Sequence, residues 1–288
     1  MKLATYQNAT GSIHIGLVVP GGLVQIDAAL PDAPRDMIGL IDAFPVWRER
    51  LEVLAASGRV DTALSAVTLL APIPRPGKIM AIGLNYADHV AESGMARPAE
   101  QLWFAKMPTA ATGPYAPIER PRVSEQLDYE AELAFIIGRR CKHVSRDNAR
   151  DVIFGYCVSN DVSVRDWQLR TSQFTLGKSF DTHAPFGPWI VTADEVPDPH
   201  ALGIRCFVNG EKRQDSSTAQ LIFDCYDQVA HLSAAMTLEP GDVVMTGTPG
   251  GVGVAHKPPS WLRAGDRVLV EIDGLGEIEN RVEEEGAR

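Results

Sequence analysis

The chain has 288 residues, 45% hydrophobic and 22% charged, with a formal net charge of −10. That balance describes a globular chain with a sizeable core, and it excludes a disordered one. The acidic excess argues against nonspecific nucleic-acid binding, although a local Lys/Arg cluster can still receive an anionic substrate. Cys141, Cys157, Cys206 and Cys225 form no C-x-x-C pair, so zinc and redox signatures are absent. The N-terminus is too short and polar for a signal peptide, and no apolar run approaches the roughly 20 residues of a membrane span. A reducing, cytoplasmic setting is expected.

Residues 3–7, 12–19 and 22–27 read as short strands, with a hairpin turn at Gly21-Gly22. Two helices follow, over 34–43 and 45–57. Val46, Leu51, Val53 and Leu54 form the expected apolar side of the second, and Gly58 stops it. The proline-rich run 71–77 disfavours helix and marks a boundary. A small N-terminal α/β domain is expected over 1–70 and a larger domain over 71–288. Residues 78–83 read as a buried strand. His89 and Glu92, three apart, share a face on any helical turn. A carboxylate there can orient the imidazole and raise its basicity; the alternative is a surface ion pair. In the short strand 102–108, Lys106 either reaches solvent or meets an acidic partner or substrate.

The run Leu127-Asp-Tyr-Glu-Ala-Glu132 is the main chemical signal. In an extended chain Asp128, Glu130 and Glu132 point the same way. Three carboxylates on one face resist burial, and a divalent cation is the simplest compensation. Asp161, at the end of the apolar run 155–161, can add an oxygen ligand. The alternative is a solvated acidic face. Residues 162–168 suit a helix that puts Asp161, Arg165 and Gln168 on one side. Gly177-Lys-Ser179 resembles part of a phosphate loop, but position 172 is Ser where that loop needs glycine, so nucleotide binding is rejected. Strands are expected over 188–191 and 204–210, and a helix over 218–236. A strand leads into the glycine loop ending at Gly253, which lacks the G-x-G-x-x-G register. Its glycines let backbone approach a ligand, or simply make turns. Strands over 262–272 and 276–282 finish the chain. The pattern predicts an α+β, β-rich class with a mixed, mainly antiparallel core, not a Rossmann or TIM fold.

Taken in order, these segments form a recognisable set. It comprises Gly83-Leu-Asn-Tyr-Ala-Asp-His-Val-Ala-Glu92, Phe104-Ala-Lys-Met-Pro108, Asp128-Tyr-Glu-Ala-Glu-Leu133 and Gly155-Tyr-Cys-Val-Ser-Asn-Asp161. Arg165-Asp-Trp-Gln168, Gly177-Lys-Ser-Phe-Asp-Thr182 and Gly247-Thr-Pro-Gly-Gly-Val-Gly253 complete it. The chain resembles the fumarylacetoacetate hydrolase family. The resemblance implies a mixed β-roll or β-sandwich catalytic domain that binds magnesium or manganese, with calcium as a stand-in within crystals. It implies a homodimer and a small-molecule oxo-acid substrate, with no nucleic acid and no membrane. It carries Glu130, Glu132 and Asp161 over as metal ligands, with Asp128 as their supporting neighbour. His89 and Glu92 fall on the catalytic dyad and Lys178 on the active-site lysine. Arg165, Gln168 and Thr248 fall on positions that contact substrate or support the metal, and Lys106 is expected to join them at the substrate.

All-oxygen ligation favours a hard cation over zinc. The expected activity is metal-dependent hydrolysis of a C–C bond in an acylpyruvate or β-diketo acid, in carbon-compound catabolism. The alternatives are decarboxylation of an oxaloacetate-like β-keto acid, isomerisation of a 2-hydroxydienoate, or non-catalytic ligand binding on the same fold.

Overall fold

The computed structural model describes residues 1–94 and 96–286. Its centre is the strand Ala131–Ile137, buried at every residue. An almost uninterrupted apolar run of this kind needs cover on both faces. Ala131, Leu133, Phe135 and Ile137 join a core with Tyr156, Val158, Ile204, Val270 and Ile278. Ala134 and Ile136 join another with Leu40, Ile41, Trp47 and Leu51.

That strand pairs antiparallel with Ile153–Asn160 on one side and Val243–Met245 on the other. The sheet continues through Ile79–Gly83 to Leu102–Lys106 at one edge. At the other it continues through Ala184–Thr192, Lys2–Gln7 and Ile13–Val19 to Gly22–Gln25. The strands before residue 71 therefore extend this same sheet, through Lys2 opposite Val191 and Leu3 opposite Ile190. A second sheet runs in the order Glu211–Ser217, Gly203–Val208, Arg267–Ile272, Gly276–Glu284, Ile118–Arg120. Most pairings are antiparallel, and the class is α+β and strand-rich, as expected. No helix among the described residues is long and apolar enough to cross a membrane.

Three local expectations need correction. The helix Phe44–Ala56 buries Trp47 and Leu51, four apart, while Val46 and Val53 face solvent. Its apolar stripe is set by the sheet face it covers, and two valines lie outside it. The expected 218–236 helix begins only at Cys225, where Asp224 accepts hydrogen bonds from the amides of Tyr226 and Asp227. This capping box defines the start; the preceding Leu221 bridges to Tyr86 instead. Residues 162–168 are not one helix. Ser163–Val164 pairs with Leu127–Asp128, and the helix is the single turn Arg165–Gln168.

Residues 131 and 160 lie opposite each other in the antiparallel pair. Glu130, Glu132 and Asp161 consequently gather at one end of the central strands. Because Phe135 packs at the middle of that pair, Phe135→Ala is expected to cost about 3–5 kcal/mol. Urea denaturation measures it, as a lower midpoint at unchanged slope.

Candidate active site

The acidic run does not remain one regular strand. Leu127–Asp128 and Ala131–Ile137 are separate strands, interrupted at Tyr129 and Glu130. The break sends Asp128 away from its neighbours. Its carboxylate accepts hydrogen bonds from the amides of Tyr129, Gly253 and Val254, at 2.9, 2.7 and 3.0 Å. Glu130, Glu132 and Asp161 converge instead, with one oxygen of each within 4.8 Å of the others. All three side chains are buried.

Buried cations meet this cluster. Lys178 Nζ donates to Glu130 Oε2 at 2.8 Å and to Asp161 Oδ2 at 2.7 Å. Lys106 Nζ donates to Asp161 Oδ1 at 2.5 Å and to the Val162 carbonyl at 3.2 Å. Of the alternatives open to Lys106, the acidic partner is realised, and its ammonium is fully buried. Arg165 lies between Asp128 Oδ2 at 2.8 Å and Glu130 Oε1 at 2.5 Å. Its Nη1 also donates to Gln168 Oε1 at 2.9 Å. Burial works against the charge on Glu130, but Lys178 and Arg165 hold it below the usual carboxylate range. Burial, together with the charges of Asp161 and Glu130, pushes Glu132 well above that range. Burial also lowers Lys106, despite Asp161 beside it.

Gly177 shows why the Gly-Lys pair stands where it does. A Cβ there would sit 2.2 Å from the Gln168 backbone nitrogen. Glycine lets the turn Thr175–Lys178 press against the turn Arg165–Gln168. That close approach delivers Lys178 to the carboxylates.

His89 and Glu92 lie on the helix Ala87–Ser93. His89 Nδ1 is buried without a hydrogen-bond partner and stands 3.7 Å from Glu92 Oε2. Glu92 Oε2 also accepts from the Gly251 amide at 2.9 Å. Gly251 belongs to the glycine loop, whose amides reach several carboxylates. Gly247 donates to Glu132 Oε2 at 2.8 Å, and Gly253 and Val254 donate to Asp128. Gly251 has φ +99°, and a Cβ there would meet the Arg213 carbonyl at 2.0 Å, so a side chain cannot be placed.

Thr248 is buried in the same loop and accepts from Gln214 Nε2 at 2.8 Å. Gln214 is a site residue that sequence reasoning missed. Its Nε2 also donates to the Pro249 carbonyl at 2.9 Å, and its Oε1 accepts from the Ala131 amide at 2.9 Å. It bridges the loop to the central strand. A buried Gln in the mostly polar run Glu211–Ser217 leaves no local signal.

Comparison with known proteins turns on the span covering these residues. The family model described as fumarylacetoacetate hydrolase C-terminal matches residues 78–283. The chain belongs to the fumarylacetoacetate hydrolase family. A Xenopus laevis family member named mitochondrial oxaloacetate tautomerase is 42% identical over 98% of this chain and 90% of its own length. A solved family structure, maleylpyruvate hydrolase from Sphingobium sp. SYK-6 in complex with manganese(II) ion and pyruvate, is 35% identical. It has a TM-score of 0.82 and covers 99% of each chain. A 5-carboxymethyl-2-hydroxymuconate delta-isomerase from Mycobacterium smegmatis is also 35% identical, with a TM-score of 0.79. That match covers 99% of this chain and all of the other. The family thus contains hydrolases, isomerases and tautomerases, and this chain has the features of an enzyme.

The residues present fit a divalent cation. The donors are all carboxylate oxygens, buried and within ligating reach of one another, which suits a hard cation. Asp128, Glu130 and Asp161 pair with Arg165, Lys178 or Lys106, whereas the hydrogen bond described for Glu132 is from the Gly247 amide, so a cation bound there would favour its ionised form. Manganese added at 100-fold over its Kd is expected to stabilise the protein by about 2.7 kcal/mol, read as a raised Tm. Glu132→Gln, which keeps an oxygen for the Gly247 amide, is expected to remove that rise. An undiminished rise would contradict ligation by Glu132.

Proposed function

We propose that this chain is a divalent-metal-dependent enzyme that interconverts the keto and enol forms of an oxaloacetate-like 2-oxo dicarboxylate. The observation that carries the reading is the buried Glu130–Glu132–Asp161 cluster with Lys178 hydrogen-bonded into it. The name of the 42%-identical relative supports the substrate class.

Glu130, Glu132 and Asp161 hold the cation. Bound there, it would supply a Lewis acid for the substrate carbonyl. Magnesium or manganese suits the oxygen donors, and the manganese in the hydrolase neighbour supports that pair. Lys178 has three N–H donors, two of which meet carboxylates; the third is left for a substrate oxygen. Arg165 neutralises Asp128 and Glu130 and keeps Gln168 in place. Thr248, held by Gln214, offers its hydroxyl at the loop side. Lys106 acts by holding Asp161. His89 takes the proton from the carbon beside the carbonyl, and the oxygen then gains a proton from the imidazolium or from water to complete the enol; the reverse sequence removes the O–H proton and returns one to carbon. Glu92 stabilises the imidazolium so formed. The homodimer implied by the resemblance belongs to the same proposal.

Hydrolysis of a C–C bond is the second reading. The His89–Glu92 pair favours it, since the same imidazole can deprotonate a water. The maleylpyruvate hydrolase neighbour supports it.

The test follows the ultraviolet band of enol oxaloacetate, with an acylpyruvate run in parallel. The proposal expects enol decay to accelerate with magnesium and to stop with a chelator. His89→Ala is expected to slow it by about 10²–10⁴-fold while the manganese-induced rise in Tm remains. Decay indifferent to chelator and to His89→Ala sinks the reading. Cleavage of the acylpyruvate alone favours hydrolysis.

A further inference from the structure

The helix that carries His89 and Glu92 has little of its own to hold it. It spans seven residues, Ala87–Ser93, and its N-cap, Tyr86, makes no side-chain capping bond. An isolated helix this short is unstable in water. Among its described side chains, Val90 alone is buried, so apolar packing anchors it at one point. Polar contacts must supply the rest.

Asp88 supplies them. It stands four residues before Glu92, on the same helix face. Its Oδ2 accepts from Ser216 Oγ on the strand Glu211–Ser217. Its Oδ1 accepts from the His89 amide at 2.7 Å and lies 3.4 Å from the Gly250 amide. The next amide, Gly251, meets Glu92. Two carboxylates on one helix face thus dock on two consecutive glycine amides. Glu92 also faces the His89 ring at 3.7 Å. Among the described hydrogen bonds, Asp88 meets His89 at its backbone amide.

We propose that Asp88 is a positioning residue that latches the His89–Glu92 helix to the glycine loop and to Ser216, and so fixes where the imidazole sits. This rests on the dyad reading given above. The same loop gives its Gly247 amide to Glu132, so the latch ties the dyad to the backbone element that supports a candidate ligand.

The test uses full-length protein with manganese. It combines hydrogen exchange of the 87–94 segment, kcat and KM for the enol-oxaloacetate assay, and the manganese Kd. Asp88→Ala is expected to speed exchange of that segment about fivefold or more, as local opening becomes easier. It is expected to lower kcat about tenfold through misplacement of the imidazole. KM and the manganese Kd should stay within about twofold of the wild type, since Asp88 touches neither the candidate ligands nor Lys178. Asp88→Asn keeps an oxygen for the two amides and should recover most of the loss. Ser216→Ala should fall between Asp88→Ala and the wild type. Unchanged exchange in Asp88→Ala overturns the latch, and so does faster exchange with unchanged kcat. A wild type that turns over none of the probe substrates defeats the functional reading instead. Exchange alone then upholds or overturns the latch.

Discussion

The ammonium of Lys178 lies 2.8 Å from Glu130 and 2.7 Å from Asp161, with all three groups buried. Much of the surrounding structure follows from the cost of burying those charges. An unpaired buried carboxylate is unfavourable by several kcal/mol, and so is an unpaired ammonium. Each must therefore meet its partner inside the protein. The partners come from separate pieces of chain: the 102–106 strand, the broken 127–137 strand, the end of the 153–160 strand, and the turns 165–168 and 175–178. Lys106 takes the second oxygen of Asp161, and Arg165 joins Glu130 to Asp128. A network satisfied to this degree is rigid, and it leaves Glu132 held by the Gly247 amide rather than by one of these cations.

The glycine loop 247–254 is the second organising element. It has few side chains of its own to offer, and its backbone amides serve in their place. They reach Glu132, Glu92 and Asp128, carboxylates from the candidate ligand cluster, the 87–93 helix and the broken strand. Backbone amides are fixed donors that need no side-chain ordering, so they hold carboxylates at little entropic cost. Gln214 then binds the loop to the central strand, from a hairpin on the opposite sheet.

How legible each residue was depended on whether its role is local. Glu130 and Glu132, two apart on an extended chain, showed a shared face without any structure. His89 and Glu92, three apart, showed theirs in the same way. Asp128 obeyed the same spacing yet turned elsewhere, because the strand breaks at Tyr129 and the 253–254 amides compete for its carboxylate. Lys106 was visible as a polar interruption, but Asp161 as its partner was not. Gln214 and Ser216 gave no sign, since their partners lie more than 30 residues away. Helix faces were misread for a related reason: Val46 and Val53 are apolar, but the sheet decides which stripe it covers.

From the sequence by itself came the strand-rich class, the ordered motifs, the family and the pair of glutamates. All of these rest on residue type and short-range spacing, which folding does not alter. Tertiary structure alone decided that the strands before residue 71 extend the main sheet, that Asp161 shares its two oxygens between two lysines, and that glycine-loop amides bind both Glu132 and Glu92. Those are choices among distant partners. They are settled by which charges and amides remain unpaired once the cores on both faces of the 131–137 strand have closed.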